Sequence, residues 1–173
     1  VSARAPDHFS LLGFEPRFGL DPQALDAAYQ RVQTQVHPDR FAVASAAERR
    51  VAMQWATRAN EAYRVLRDPV QRAACLCEMH GAPIEAESNT AMPAPFLMQQ
   101  MDWREALDAA GSTAECEGLQ RAVAGEQARL LADLERKIDV EQDFPGAAAL
   151  VRQLMFTSKF SGELATVAQR GAA

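Results

Sequence analysis

Apolar residues recur every three to four positions along most of this chain, the spacing of helices that bury one face. A period of two is missing: there is no run of alternating β-branched residues and no Asn-Gly or Asp-Gly hairpin turn. Ala, Gln, Glu, Arg and Leu dominate, and these favour helix. The pattern predicts an all-α protein.

A short helix is expected from Asp7 to Leu12, stopped by Gly13. Asp21-Pro22 opens the next, because proline at the first helical position loses no hydrogen bond. Leu25, Ala28, Tyr29, Val32 and Val36 form its apolar stripe, with Gln23, Asp26, Gln30, Arg31 and Gln33 opposite. Pro38 disfavours the α conformation at His37 and ends this helix there. Ser45 with Glu48 three residues on forms a capping box for a long helix. Its expected buried stripe is Ala52, Trp55, Ala56, Ala59, Ala62, Tyr63 and Leu66. Asp68-Pro69 closes it and opens a fourth helix through Cys77, stopped by Gly81. Leu25, Tyr29 and Val32 should pack on Trp55, Ala59 and Tyr63 in an antiparallel hairpin.

Gly81, Pro83, Pro93 and Pro95 then punctuate a polar stretch, read as a connection between domains. Helical runs follow over about 96–110, 113–142 and 144–170, separated by Gly111-Ser112 and Phe144-Pro145-Gly146. The expected organisation is a domain over 1–80, a linker over 81–92 and a three-helix bundle over 93–173.

With 173 residues, 48% hydrophobic and 24% charged, the chain has an ordinary globular composition. A net charge of -5 argues against nucleic-acid binding. No apolar run approaches a membrane span. Asp7, His8, Glu15 and Arg17 break up any signal-type apolar core within residues 1–20. Cys75, Cys77 and Cys116 are odd in number and lack disulfide-framework spacing, so a reducing, cytoplasmic setting is expected.

The chemistry concentrates in His37-Pro38-Asp39-Arg40-Phe41, between two amphipathic helices. Pro38 fixes a sharp exit from the helix. Asp39 offers a carboxylate suited to a bidentate arginine on a partner, and His37 a ring that donates and accepts. Read alone, the string is equally a helix-ending turn. No Gly-rich phosphate loop, nucleophile elbow or HExxH is present. An enzymatic reading would need His37 and Asp39 as a dyad, yet a proline separates them and no nucleophile accompanies them. Cys75 and Cys77 lie roughly 200° apart around a helix, and Cys77 with His80 gives only a pair of ligands. These are read as structural thiols, with no metal and no cofactor. A metal or cluster carrier through Cys75, Cys77 and Cys116 is the competing alternative.

His37-Pro38-Asp39 between two helices, followed by Asn60-Glu61-Ala62-Tyr63-Arg64-Val65-Leu66-Arg67-Asp68-Pro69 and Arg72, resembles a J domain. Phe96-Leu97-Met98, Arg104-Glu105-Ala106-Leu107 and Val151-Arg152-Gln153-Leu154 with Phe156 resemble the HscB family of iron–sulfur co-chaperones. The resemblance spans nearly the whole chain. It implies a non-enzymatic activator that binds the cluster scaffold IscU through its C-terminal bundle. It would deliver IscU to HscA, a DnaK-class chaperone, and stimulate HscA ATP hydrolysis through its J domain. His37, Pro38, Asp39, Arg31 and Arg40 are the residues assigned to the chaperone ATPase. One departure stands out: the helix before the loop, usually basic in J domains, carries only Arg31, helped by Arg40, Arg49, Arg50 and Arg58 nearby. No paired-cysteine segment of the kind some members carry precedes Phe9.

A helical wheel of the run from Phe96 puts Phe96, Trp103 and Leu107 on one narrow arc. Leu97, Met98, Met101, Asp102 and Glu105 spread over the opposite side, surplus to one packed face. By resemblance, Leu97, Met98, Met101, Asp102, Glu105 and Phe156 match positions that contact IscU. Asp102 is a shorter acid than the usual Glu. Taken as a helical Leu and Met stripe alone, Leu97 and Met101 would read as core; the wheel and the resemblance together place them on the outer face. A J-domain protein with another client, or with a dimerising C-terminal bundle, is the other reading.

Overall fold

Short-range side-chain bonds set the helix boundaries. Asp7 accepts from the Ser10 N–H at 2.9 Å and caps α1 (His8–Leu12), which Gly13 ends at φ 79°. Asp21 accepts from the Gln23 N–H at 3.0 Å at the head of α2 (Pro22–Val36). Ser45 and Glu48 form both halves of the expected capping box on α3 (Ala46–Arg67). Asp68 accepts from Val70 and Gln71 and so starts α4 (Pro69–Met79). α5 (Ala94–Ala109), α6 (Thr113–Glu135) and α7 (Phe144–Gly171) follow, with a π-helical turn, Arg136–Glu141, extending α6. The computed structural model describes residues 7–36, 45–86 and 91–171. Among the described residues there is no strand, and no helix is long and apolar enough to cross a membrane. The chain divides into compact units over 1–76 and 77–173.

In the first unit, α2 and α3 run antiparallel. Tyr63 donates to Asp26 at 2.7 Å and Tyr29 to Asn60 at 2.8 Å, while the Tyr29 and Tyr63 rings stack at 4.1 Å. Gln33 reaches Tyr29 and Asn60. Ala28, Ala59 and Ala62 are fully covered, and their small side chains let the backbones approach. Phe9, Leu12, Phe18, Leu25 and Leu66 fill the core. Arg72 donates to the Leu66 carbonyl at 2.6 Å and lies over the Phe18 ring at 5.0 Å. The Asn60-to-Arg72 pattern is thus a set of structural ties.

Three positions differ from the periodic reading. Asp26 and Gln33, expected on the outer face, line the hairpin edge, where the Tyr63 and Tyr29 hydroxyls meet them. Trp55, expected in the buried stripe, is 41% exposed, with the Arg58 guanidinium 5.8 Å above its ring.

In the second unit, α6 and α7 form the principal pair, and Trp103 and Leu107 of α5 close over them. The core cluster is Trp103, Leu119, Val123, Phe160 and Leu164. Gln142 adopts φ 53° after the π turn, and Asp143 turns the chain into α7. The Asp143 carboxylate accepts from Lys137 at 2.6 Å and from the Gly146 N–H at 2.9 Å. A Cβ at position 146 would meet that carboxylate and force it to shift. The start of the unit is anchored as well. His80 stacks on Phe144 at 3.7 Å, Ile84 is buried, and Arg152 donates to the Ile84 carbonyl at 3.0 Å.

Candidate functional site

The residues expected on the outer face of α5 stand there. Phe96 and Trp103 are buried and Leu107 packs against the core. Trp103 stacks on Phe160 with centroids 5.8 Å apart, which locks the rotation of α5. That rotation leaves Leu97 45%, Met98 66% and Met101 63% exposed. Asp102 and Glu105 are exposed beside them. Phe156 of α7 is 40% exposed and edges onto Phe96. Single exposed apolar residues are ordinary, but four large ones on one surface form a patch suited to a partner.

Arg104 is withdrawn from this patch by an ion pair with Glu163 at 3.2 Å and lies 5.6 Å over the Phe160 ring. Asp102 and Glu105 form no ion pair among the described residues. Beyond Phe156 the patch runs into a groove of about 390 Å³ lined by Ala86, Met92, Leu97, Arg152, Met155, Phe156 and Lys159. The groove was not foreseen, although Arg152, Met155, Phe156 and Lys159 stand at i, i+3, i+4 and i+7, a spacing that marks one helix face. Gln100 was also missed: only 5% exposed, it points inward, and neither amide atom has a hydrogen-bond partner among the described residues.

His37, Pro38, Asp39 and Arg40 lie outside the described residues. Arg31 is exposed on α2. On the opening turns of α3, Arg49 and Arg50 are exposed alongside Val51 and Met53.

Two of the three thiols are buried and Cys75 is partly exposed. Cys77 is fully buried and donates to the Phe144 carbonyl at 3.6 Å. Burial, reinforced by the negative charge of Glu78 and opposed by Arg152, pushes its pKa up to about 11. Cys116 is buried too. Among the described residues no group of three or more His, Cys, Asp or Glu side chains is placed to hold a metal.

Residues 92–165 match the family model of the HscB C-terminal oligomerisation domain. A co-chaperone protein HscB homolog of Bordetella avium is 54% identical over 168 residues, spanning 94% of this chain and 98% of the relative. The structure of chaperone HscB from Vibrio cholerae aligns with a TM-score of 0.82 at 31% identity, covering 95% of this chain and 99% of that one. Human co-chaperone HscB aligns with a TM-score of 0.87 at 26% identity, covering 96% and 83%.

Proposed function

The chain belongs to the HscB family of co-chaperones, and from that premise we propose that it recruits an IscU-type iron–sulfur scaffold to an HscA-type chaperone and stimulates that chaperone's ATP hydrolysis. One observation carries the scaffold half of this reading. Leu97, Met98, Met101 and Phe156 are exposed together although α5 has a complete inward stripe of its own. Adaptable methionine at the centre and the carboxylates of Asp102 and Glu105 at the edge suit a partner with apolar and basic contacts.

The chaperone half rests on the His37-Pro38-Asp39 loop. Asp39 pairs with an arginine of the ATPase, Pro38 holds the bend and His37 adds a hydrogen bond. Arg31 and Arg40 steer the encounter, and the exposed Arg49 and Arg50 extend the positive surface onto α3. The loop acts by contacting one conformation of the ATPase better than the other, which shifts its population without a catalytic group. The three cysteines are thiols, consistent with work in the cytoplasm.

Steady-state ATP turnover by an HscA-type chaperone, with this protein and the scaffold added separately and together, tests the reading. Stimulation by the protein that rises further with scaffold supports it; unchanged turnover removes it. Leu97→Ala with Met101→Ala should weaken scaffold binding more than about ten-fold while the melting temperature barely moves. A large fall in melting temperature with unchanged affinity contradicts the assigned face.

A self-associating bundle is the second reading. It is favoured by the matched oligomerisation domain and by the exposure of Val140 and Val167. Sedimentation velocity across a concentration series decides it.

A further inference from the structure

α7 carries two stripes. Val151, Leu154, Thr157, Phe160 and Leu164 face the core. Arg152, Met155, Phe156 and Lys159 form an outer stripe and one wall of the 390 Å³ groove, with Met92 and Leu97 on the other. The apolar surface therefore does not end at α5. It passes across Phe156 and gains a second floor of methionine.

The charges around this surface are sorted. Asp102 and Glu105 make the α5 edge anionic, and neither meets a cation among the described residues. On the α7 edge the exposed Lys159 meets no carboxylate among the described residues, while the half-buried Arg152 donates to the Ile84 carbonyl at 3.0 Å. Arg104 and Glu163 lie nearby but neutralise each other at 3.2 Å. Unpaired charges of opposite sign on opposite edges of one apolar surface select a partner carrying the complementary arrangement.

We propose that the groove is a docking subsite for an acidic segment of the scaffold. An apolar side chain of that segment sits among Met92, Leu97, Met155 and Phe156, and its carboxylate pairs with Lys159. The inference rests on the scaffold reading and deepens it. The scaffold must be bipolar, basic where it meets Asp102 and Glu105 and acidic where it enters the groove.

Isothermal titration of the full chain with purified IscU-type scaffold tests this. Lys159→Glu should weaken binding about five-fold or more at low ionic strength, and the difference should shrink at about 0.5 M salt. Lys159→Arg should bind as the unaltered protein does. Met155→Ala should weaken binding by a factor that salt does not change. Lys159 is exposed, so its variants keep the fold, and circular dichroism melting checks each one. If Leu97→Ala with Met101→Ala loses affinity while Lys159→Glu and Met155→Ala bind normally, the groove is not a subsite and the scaffold reading stands. If the unaltered protein does not bind the scaffold, both readings are overturned.

Discussion

The Phe156 ring stands edge-on to Phe96, with centroids 6.1 Å apart and planes 76° apart. Phe96 is buried between α5 and the bundle, and Phe156 lies half in solvent above it. One ring is an anchor and the other a contact, so the two should separate stability from binding. Phe96→Ala should cost about 3 kcal/mol or more of stability in urea unfolding. Phe156→Ala should cost much less, yet weaken scaffold binding about ten-fold in titration calorimetry. Equal losses of stability would return Phe156 to the core.

Asp39→Asn should abolish stimulation of the chaperone ATPase and leave the far-ultraviolet circular dichroism spectrum unchanged. Arg49→Glu with Arg50→Glu should slow association several-fold, and added salt should narrow the gap. Full stimulation by Asp39→Asn would end the role given to the loop.

Gln100 sits on the inward arc of α5, and among the described residues neither of its amide atoms has a partner. A buried polar group without a hydrogen bond costs about 1–3 kcal/mol. Gln100→Leu, similar in volume, should therefore raise unfolding free energy by about 1–2 kcal/mol. Scaffold affinity should hold, because the residue does not reach the outer face. A loss of stability would mean that the amide is satisfied in solution.

Acid should loosen the helix ends. The Ser45 hydroxyl and N–H hold the Glu48 carboxyl below its ordinary 4.5. The Ser112 hydroxyl and the Gly111 N–H do the same for Glu115, also ordinarily 4.5. Lys137 and the Gly146 N–H lower Asp143 from 3.8. A carboxylate depressed by folding contributes stability above its ordinary pKa, and that contribution is lost as pH falls through the lowered value. The melting temperature should thus be level above about pH 5 and decline below about pH 4. Asp143→Asn should start lower and decline less steeply.

Cys77 should resist alkylation. With a pKa near 11 and no exposed surface, it presents about one thiolate in a thousand at pH 8. Iodoacetamide should label the partly exposed Cys75 first, and should reach Cys77 and Cys116 only after unfolding in denaturant. Rapid native labelling of Cys77 would contradict its packing.

What could be read from residue order was short-range. Asp7, Asp21, Ser45 with Glu48, and Gly13 act within a turn, so composition and spacing suffice to place the ends of α1, α2 and α3. The outward turn of Leu97, Met98 and Met101 was legible for a related reason. Phe96, Trp103 and Leu107 already supply one packed arc, and a helix wheel is a property of sequence alone.

The remainder depends on how closely another helix approaches. Trp55 shares the angular position of its buried neighbours Ala52 and Ala59 and is nonetheless exposed, with the Arg58 guanidinium over its ring. Asp26 and Gln33 look like outer-face residues until α3 brings Tyr63 and Asn60 to them. Met92 and Lys159 are 67 positions apart, and no periodicity joins them; the packing of α5 and α7 does. Residue order by itself determined the helices, their caps and the family. Tertiary packing decided which faces are left for partners, because burial is settled by the neighbour and not by the residue.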